Sequence, residues 1–259
     1  MINSICELLL GPILTITENV IAGYFLENVK VEKQLYGKSY KSIIKKVINK
    51  NGYIRTYYPY GLLQAVTKGA PLLVVSRKVK SIIKPYDLNP YLVGLMAGSS
   101  AGTAQACIVT PTQRLKTVIW TENINFKNAL IKCYNTNTLL KGLIPTIARR
   151  SIDCSIRSMI VGPNVKKENY FYNFGICGLA AWVCASVTMP FDNLIARRQV
   201  TQKDFIYQKN VYEHFKNIYK KEGIINGLYR GYIFRMIDSC HHTFWLFIVA
   251  NAMLDSCFK

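Results

Sequence analysis

The chain has 259 residues, with 33 Lys and Arg against 14 Asp and Glu, a net charge of +19 and a mean hydropathy of +0.12. Half of the residues are apolar and 18% are charged, which excludes a disordered chain, while 16 Gly and 9 Pro exclude a collagen-like or low-complexity one. A soluble basic protein reads polar, so this charge either decorates a membrane protein or coats a very apolar core.

In chain order, the first apolar stretch is Ile5–Leu26, with Glu7 and Glu18 inside it. Ser39–Asn49 follows as an amphipathic segment, with Ile43, Ile44, Val47 and Ile48 on one side and Lys41, Lys45 and Lys46 on the other. Gly61–Ser76 is apolar around Lys68. Tyr91–Gln113 holds no charged residue and is long enough to cross a hydrocarbon layer of about 30 Å as a helix. Gly94, Gly98 and Gly102 line one face of it and permit close backbone approach. Gly142–Val161 carries Arg149, Arg150, Asp153 and Arg157, of which Arg149, Asp153 and Arg157 form one polar stripe. Tyr170–Phe191 is the second uncharged span. Val211–Lys220 repeats the amphipathic pattern, and Gly231–Leu254 is apolar around Arg235 and Asp238.

Charges at mid-membrane depth are costly, so those in the weaker spans face a protein interior or a watery path. The expected fold is an all-α membrane protein with six transmembrane helices joined by short basic helices at the membrane surface. A buried helix of a soluble protein explains either uncharged span taken alone, but not both in so basic a chain. A soluble nucleic-acid binder explains the charge but not the spans, so no nucleic-acid polymer is expected as a partner.

No enzymatic constellation is present. Eight cysteines show no C-x-x-C spacing, and His214, His241 and His242 cannot assemble a zinc motif. P-loop, nucleophile-elbow and dinucleotide fingerprints are missing. The sequence calls for no catalytic residue, metal or cofactor. The opening MINSICELLLGP lacks the basic region of a signal peptide and the Arg/Ser bias of a transit peptide.

Two phrases recur along the chain. The first is proline, acid, then base: Pro111-Thr112-Gln113-Arg114-Leu115-Lys116 and Pro190-Phe191-Asp192-Asn193-Leu194-Ile195, with Phe25-Leu26-Glu27-Asn28-Val29-Lys30 lacking the proline. The second is a glycine at the start of the next helix: Gly61, Gly142 and Gly231, the last within Glu222-Gly223 … Tyr229-Arg230-Gly231. With MPFDNLIARRQ, KKEGIINGLYRGYIFR, KGLIPTIARR and VTPTQRLK, the chain resembles the mitochondrial carrier family over essentially its whole length.

The resemblance implies a single carrier domain, 1–259, in three pseudo-threefold-related repeats of about 1–85, 86–167 and 168–259. It implies surface helices facing the matrix, termini facing the intermembrane space, and a central site opened alternately to each side. It also places the protein as a multi-pass monomer in the mitochondrial inner membrane.

In the family the acid of one odd helix pairs with the base of the next. By position Glu27 faces Lys116 and Asp192 faces Lys30, forming a matrix gate, while the third pair is lost together at Gln113 and Ile195. A joint loss leaves no lone buried charge, which would be costly. Gln34 and Gln199 stand where a glutamine braces such pairs. Without proline at Phe25, the first helix is expected to be straighter.

Solute contacts in the family lie seven residues after the second-phrase glycine, here at Lys68, Arg149 and Asp238, with Arg150 beside the middle one. Arg235 and His241 lie about one turn either side of Asp238. This mixture predicts a small organic anion, captured by Arg and Lys. Phosphorylated solutes such as nucleotides are favoured, and carboxylates or amino acids come next, moved by antiport. A simpler role for Arg149 and Arg157 is to satisfy Asp153 within one helix. Gly52, Gly61, Gly142 and Gly231 mark helix starts whose backbone N–H groups bind phosphate; the resemblance makes that the phosphate of cardiolipin or another anionic lipid. The missing proline, missing ion pair and absent outer motif leave one alternative, a carrier-derived scaffold or partner-binding protein without transport.

Overall fold

The computed structural model describes residues 12–51, 60–122, 124–164, 169–200 and 210–245. Among these the chain is helical with no strand. Helix α1 (Tyr24–Tyr36) continues helical turns at 12–18 through a π-helical turn, Asn19–Gly23. It is followed by α2 (Tyr40–Asn51), α3 (Tyr60–Ile83), α4 (Pro90–Glu122), α5 (Phe126–Asn135), α6 (Leu143–Asn164), α7 (Tyr170–Val200), α8 (Val211–Gly223) and α9 (Tyr232–Phe244).

Two of these are long and apolar enough to cross a membrane, within Pro90–Ile119 and Phe171–Gln199. Their outward sides carry Leu92, Leu95, Met96 and Ile108 on α4 and Phe171, Phe174, Leu179 and Trp182 on α7, all exposed. Such a surface is stable against lipid and unfavourable in water. The surface helices α2 and α8 turn Ile43, and His214 with Ile218, into the protein. The structure adds α5 to this class, with Ala129 and Cys133 packed on Leu115, Val118 and Ile119 of α4.

The long helices surround a polar interior. Neighbours in sequence pack side by side from α3 through α4, α6, α7 and α9, and α9 returns to α1. The tightest seam is α4 against α6. A Cβ on Gly94, Gly98 or Gly102 would lie 2.6, 2.4 and 2.3 Å from the carbonyl oxygens of Ser158, Cys154 and Arg150. The partner number falls by four as the glycine number rises by four, so an antiparallel register is held for three turns. Ser151 and Ser155 of α6 donate to the Ser99 and Leu95 carbonyls across the same seam, each at 3.3 Å.

Pro111 and Pro190 sit inside α4 and α7. A proline frees the carbonyl four residues back, and for Pro190 that is Ser186. Tyr229 donates its hydroxyl to that oxygen at 2.9 Å, so the distortion is tied to the linker before α9. The first helix is not the regular rod its missing proline suggested: the π turn ends two residues before Phe25. A π turn is a recognised site of helix distortion, and it replaces proline in that role.

Candidate functional site

The ring positions read from the repeats meet in one place. Glu27 and Lys30 of α1, Gln113 and Lys116 of α4, and Asp192 and Ile195 of α7 all line one cavity of about 490 Å³. The three helices deliver equivalent turns to it because each repeat places its two ring positions three residues apart, on one helix face. Glu27 lies 3.1 Å from Lys116, as the ring order requires, and Lys116 also sits 5.6 Å from the Tyr24 ring centre. Gln113 and Ile195 are both buried and carry no charge into the ring.

The expected contact between Asp192 and Lys30 is not made here. Lys30 bonds to Asp238 of α9 at 3.0 Å. Asp192 is held by Arg149 of α6 and by Arg235 of α9, the latter at 2.8 Å. The cause is competition: two guanidinium groups reach one carboxylate, and Lys30 finds another acid within its length. Gln34 and Gln199 do not bond the ring charges either. Gln199 accepts from Thr117 at 3.4 Å and its backbone carbonyl accepts from Arg114. Gln34 packs its chain beneath Gly231 and Gln199 beneath Gly142. Both glycines have positive φ, +87° and +90°, a conformation that favours glycine at these helix starts.

A second cavity of about 400 Å³ adjoins the first, sharing Glu27, Lys30 and Arg149. The solute positions Lys68, Arg149, Arg150, Arg235 and Asp238 all line it. Lys68 is 3.8 Å from Glu27, and its backbone carbonyl accepts from Gln105 at 2.8 Å. Asp153 is held by Arg157 and Arg235, both at 3.1 Å, and Arg157 reaches on to Ser239 and Thr243 of α9. Arg157 therefore does satisfy Asp153, whereas Arg149 turns to Asp192. Arg150 is buried at 5% exposure, and among the described residues it has no ion-pair partner and its Nε no hydrogen-bond acceptor.

Two wall residues escaped the sequence reading: Glu18 and His242, 2.7 Å apart, both line this second cavity. Glu18 is the acid inside the first apolar stretch. His242 follows Asp238 by four residues and Arg235 by seven, on one helix face. That periodicity selects His242 over His241, which does not line the cavity. Of the glycine positions, Gly61 lies in the first turn of α3, Gly142 and Gly231 immediately precede α6 and α9, and Gly52 lies outside the described residues.

Outside the spans, Glu222 at the end of α8 binds Arg197 of α7 at 2.6 Å and Arg230 of the linker at 2.7 Å. The Arg197 hydrogen bond holds its carboxyl below the usual range. His214 of α8 is buried, and burial with the charges of Arg198, Arg197 and Lys141 pushes its pKa down to about 4.

Residues 166–258 match the family model described as mitochondrial carrier protein. The chain is 27% identical to the citrate/oxoglutarate carrier protein of Saccharomyces cerevisiae, over 88% of this chain and 82% of that one. The chain thus matches the mitochondrial carrier model over its C-terminal third and is similar to a citrate/oxoglutarate carrier over most of its length. The carrier is also 25% identical to mitochondrial citrate transporter B of Aspergillus niger, over 55% of this chain and 53% of that one. It is 23% identical to solute carrier family 25 member 16 of Mus musculus, over 80% and 74%. The fold is thus the six-helix, three-repeat carrier fold, and the protein is a transporter of a small solute, not an enzyme. It is a multi-pass protein of the mitochondrial inner membrane.

Proposed function

We propose that this carrier moves a small di- or tricarboxylate across the inner membrane by alternating access. The solute binds between Lys68, Arg149, Arg150 and Arg235, with Asp238 beside Arg235 on the same helix. The observation that carries this reading is a charge count. In and around the two cavities, Lys30, Lys68, Lys116, Arg149, Arg150, Arg157 and Arg235 stand against Glu18, Glu27, Asp153, Asp192 and Asp238. Seven cations face five carboxylates, so an anion of two charges completes the site. Arg150 supplies the unshared guanidinium, whose fork suits a carboxylate. The citrate and oxoglutarate carriers among the relatives support the same class.

The phosphorylated solutes favoured on sequence take second place. Every described side chain lining the solute cavity is polar or charged, apart from Gly23, and none is aromatic. A nucleobase would find no flat apolar face to stack on. The scaffold alternative draws no support from this buried network.

In this reading the single carrier domain of three repeats closes on its matrix side through Glu27–Lys116. Lys30 and Asp192 line the same cavity and form the second bridge once they exchange their present partners. Gln34 and Gln199 brace the ring indirectly, by seating the glycines before α9 and α6. Gly52, Gly61, Gly142 and Gly231 present helix starts to the phosphates of cardiolipin, and the protein works as a monomer without a nucleic-acid partner.

The test is reconstitution into liposomes with labelled citrate, oxoglutarate and adenine nucleotides inside and out. Saturable exchange of a carboxylate, with nucleotides inert, is the expected result. Nucleotide exchange without carboxylate exchange would overturn the assignment.

A further inference from the structure

We propose that His242, set against Glu18, is a proton-binding site that sets which anion the cavity accepts. The idea rests on the carboxylate reading above and extends it to the charge of the solute. His242 Nδ1 lies 2.7 Å from Glu18 Oε1, and both side chains line the solute cavity. The pair joins the helical turns before α1 to α9. Neither residue takes part in the ring contacts or in the arginine network. The other charged groups facing the pair are Lys68 of α3, Asp238 on the turn before His242, and His241 beside it.

Histidine is the side chain whose charge changes most readily near neutral pH. With His242 neutral, the buried network carries two excess positive charges. A proton on His242 makes a full ion pair with Glu18 and raises the excess to three. Coulomb energy inside a low-dielectric cavity favours the anion that brings the net charge to zero. The deprotonated site therefore prefers a dicarboxylate such as oxoglutarate, and the protonated site a fully ionised tricarboxylate such as citrate. Binding is linked both ways: a trivalent anion draws a proton onto His242 as the proton draws in the anion. The step breaks no covalent bond and needs no further reactant, since the proton comes from solvent and stays on the ring nitrogen that carries it.

Two variants fix the charge in opposite senses. His242→Asn holds the excess at two, and Glu18→Gln combined with His242→Asn holds it at three without a proton. In liposomes carrying the full chain, the wild-type preference for citrate over oxoglutarate should rise by about threefold to tenfold between about pH 8 and about pH 6. His242→Asn should show a low preference, and the double variant a high one. Both should respond to pH only through citrate's own titration and that of the remaining cavity groups, contributions common to all three proteins. A wild-type pH response equal to that of His242→Asn overturns the proposal and leaves the carboxylate assignment standing. If none of the three proteins moves either anion, the carboxylate assignment falls and this proposal with it. Should a variant fail to fold, wild-type protein in detergent decides the matter in a weakly buffered solution alkaline enough to ionise citrate fully. Citrate binding should take up more protons than oxoglutarate binding, and equal uptake overturns the proposal.

Discussion

Arg150 and Arg157 stand two turns apart on α6, and both are buried. They differ in what holds them. Arg157 donates to Asp153, Ser239 and Thr243, whereas Arg150 meets the cavity without an ion-pair partner among the described residues. Replacing each by glutamine should therefore separate function from stability. Arg150→Gln should weaken carboxylate uptake by tenfold or more while the unfolding temperature holds. Arg157→Gln strips a buried acid of one of its two partners and should cost about 3 kcal/mol, the lower range for breaking a buried pair. Thermal unfolding and liposome exchange, measured on both variants, check the pair of claims. At this scale the sequence carried the positions well and the partners poorly. A period of three or four residues tells which side chains share a face, and the family resemblance named the ring and solute positions, which line two adjoining cavities. The period does not tell which of several acids a long lysine reaches, and Lys30 accordingly chose Asp238. His242 was legible in principle from its spacing to Asp238 and Arg235.

Between elements, the seam of α4 and α6 is set by the absence of side chains. A Cβ at Gly98 or Gly102 would sit far inside the van der Waals contact distance of a backbone oxygen, which cannot rotate away. Gly98→Val should force the helices apart and cost about 1–3 kcal/mol. Gly175→Ala in α7, where an added Cβ meets nothing within 4 Å, should be neutral or slightly stabilising, as measured by thermal unfolding in detergent. The three glycines and their spacing were plain in the sequence. The helix they face was not, since α3 and α6 both flank α4 and the glycine pattern alone names neither. The docking of α8 gives a pH prediction. His214 has a folded pKa near 4, below the ordinary value of about 6.5, so the unfolded chain binds the proton more tightly. Stability contributed by neutral His214 is complete above the higher value and declines as the pH falls towards the lower one. His214→Gln should flatten that part of the stability profile. Glu222 loses its contribution in the same direction, as the pH falls through its lowered folded value, and it remains in the variant as an internal control.

For the whole molecule, the ring predicts a rescue. Lys116→Glu sets two acids against each other across α1 and α4 and should abolish exchange. Adding Glu27→Lys restores opposite signs there, but sets the new lysine near Lys68, now 3.8 Å from Glu27. Recovery should therefore be incomplete, visible as exchange above that of the single variant and below wild type. Failure of any recovery would remove the contact from the transport cycle. Membrane class, repeat number and the loss of the third ion pair were all legible from patterns that repetition makes redundant. The fusion of ring and solute site into one network was not, because Asp192 and Asp238 cross between levels that a one-dimensional repeat keeps apart.

The glycine seam also bears on how such a barrel can move. Two staves whose backbones touch for three turns offer no gap for a lipid tail and no slack for sliding. They are joined as if laminated, and any rocking of the wall has to be taken up elsewhere. The join between α1 and its neighbours is made of another material: salt links from Glu27 to Lys68 and from Lys30 to Asp238, each able to trade an acid for a passing anion. On the proposed site, a carboxylate cargo competes for these fastenings, and its arrival loosens the wall at the joint that salt links hold.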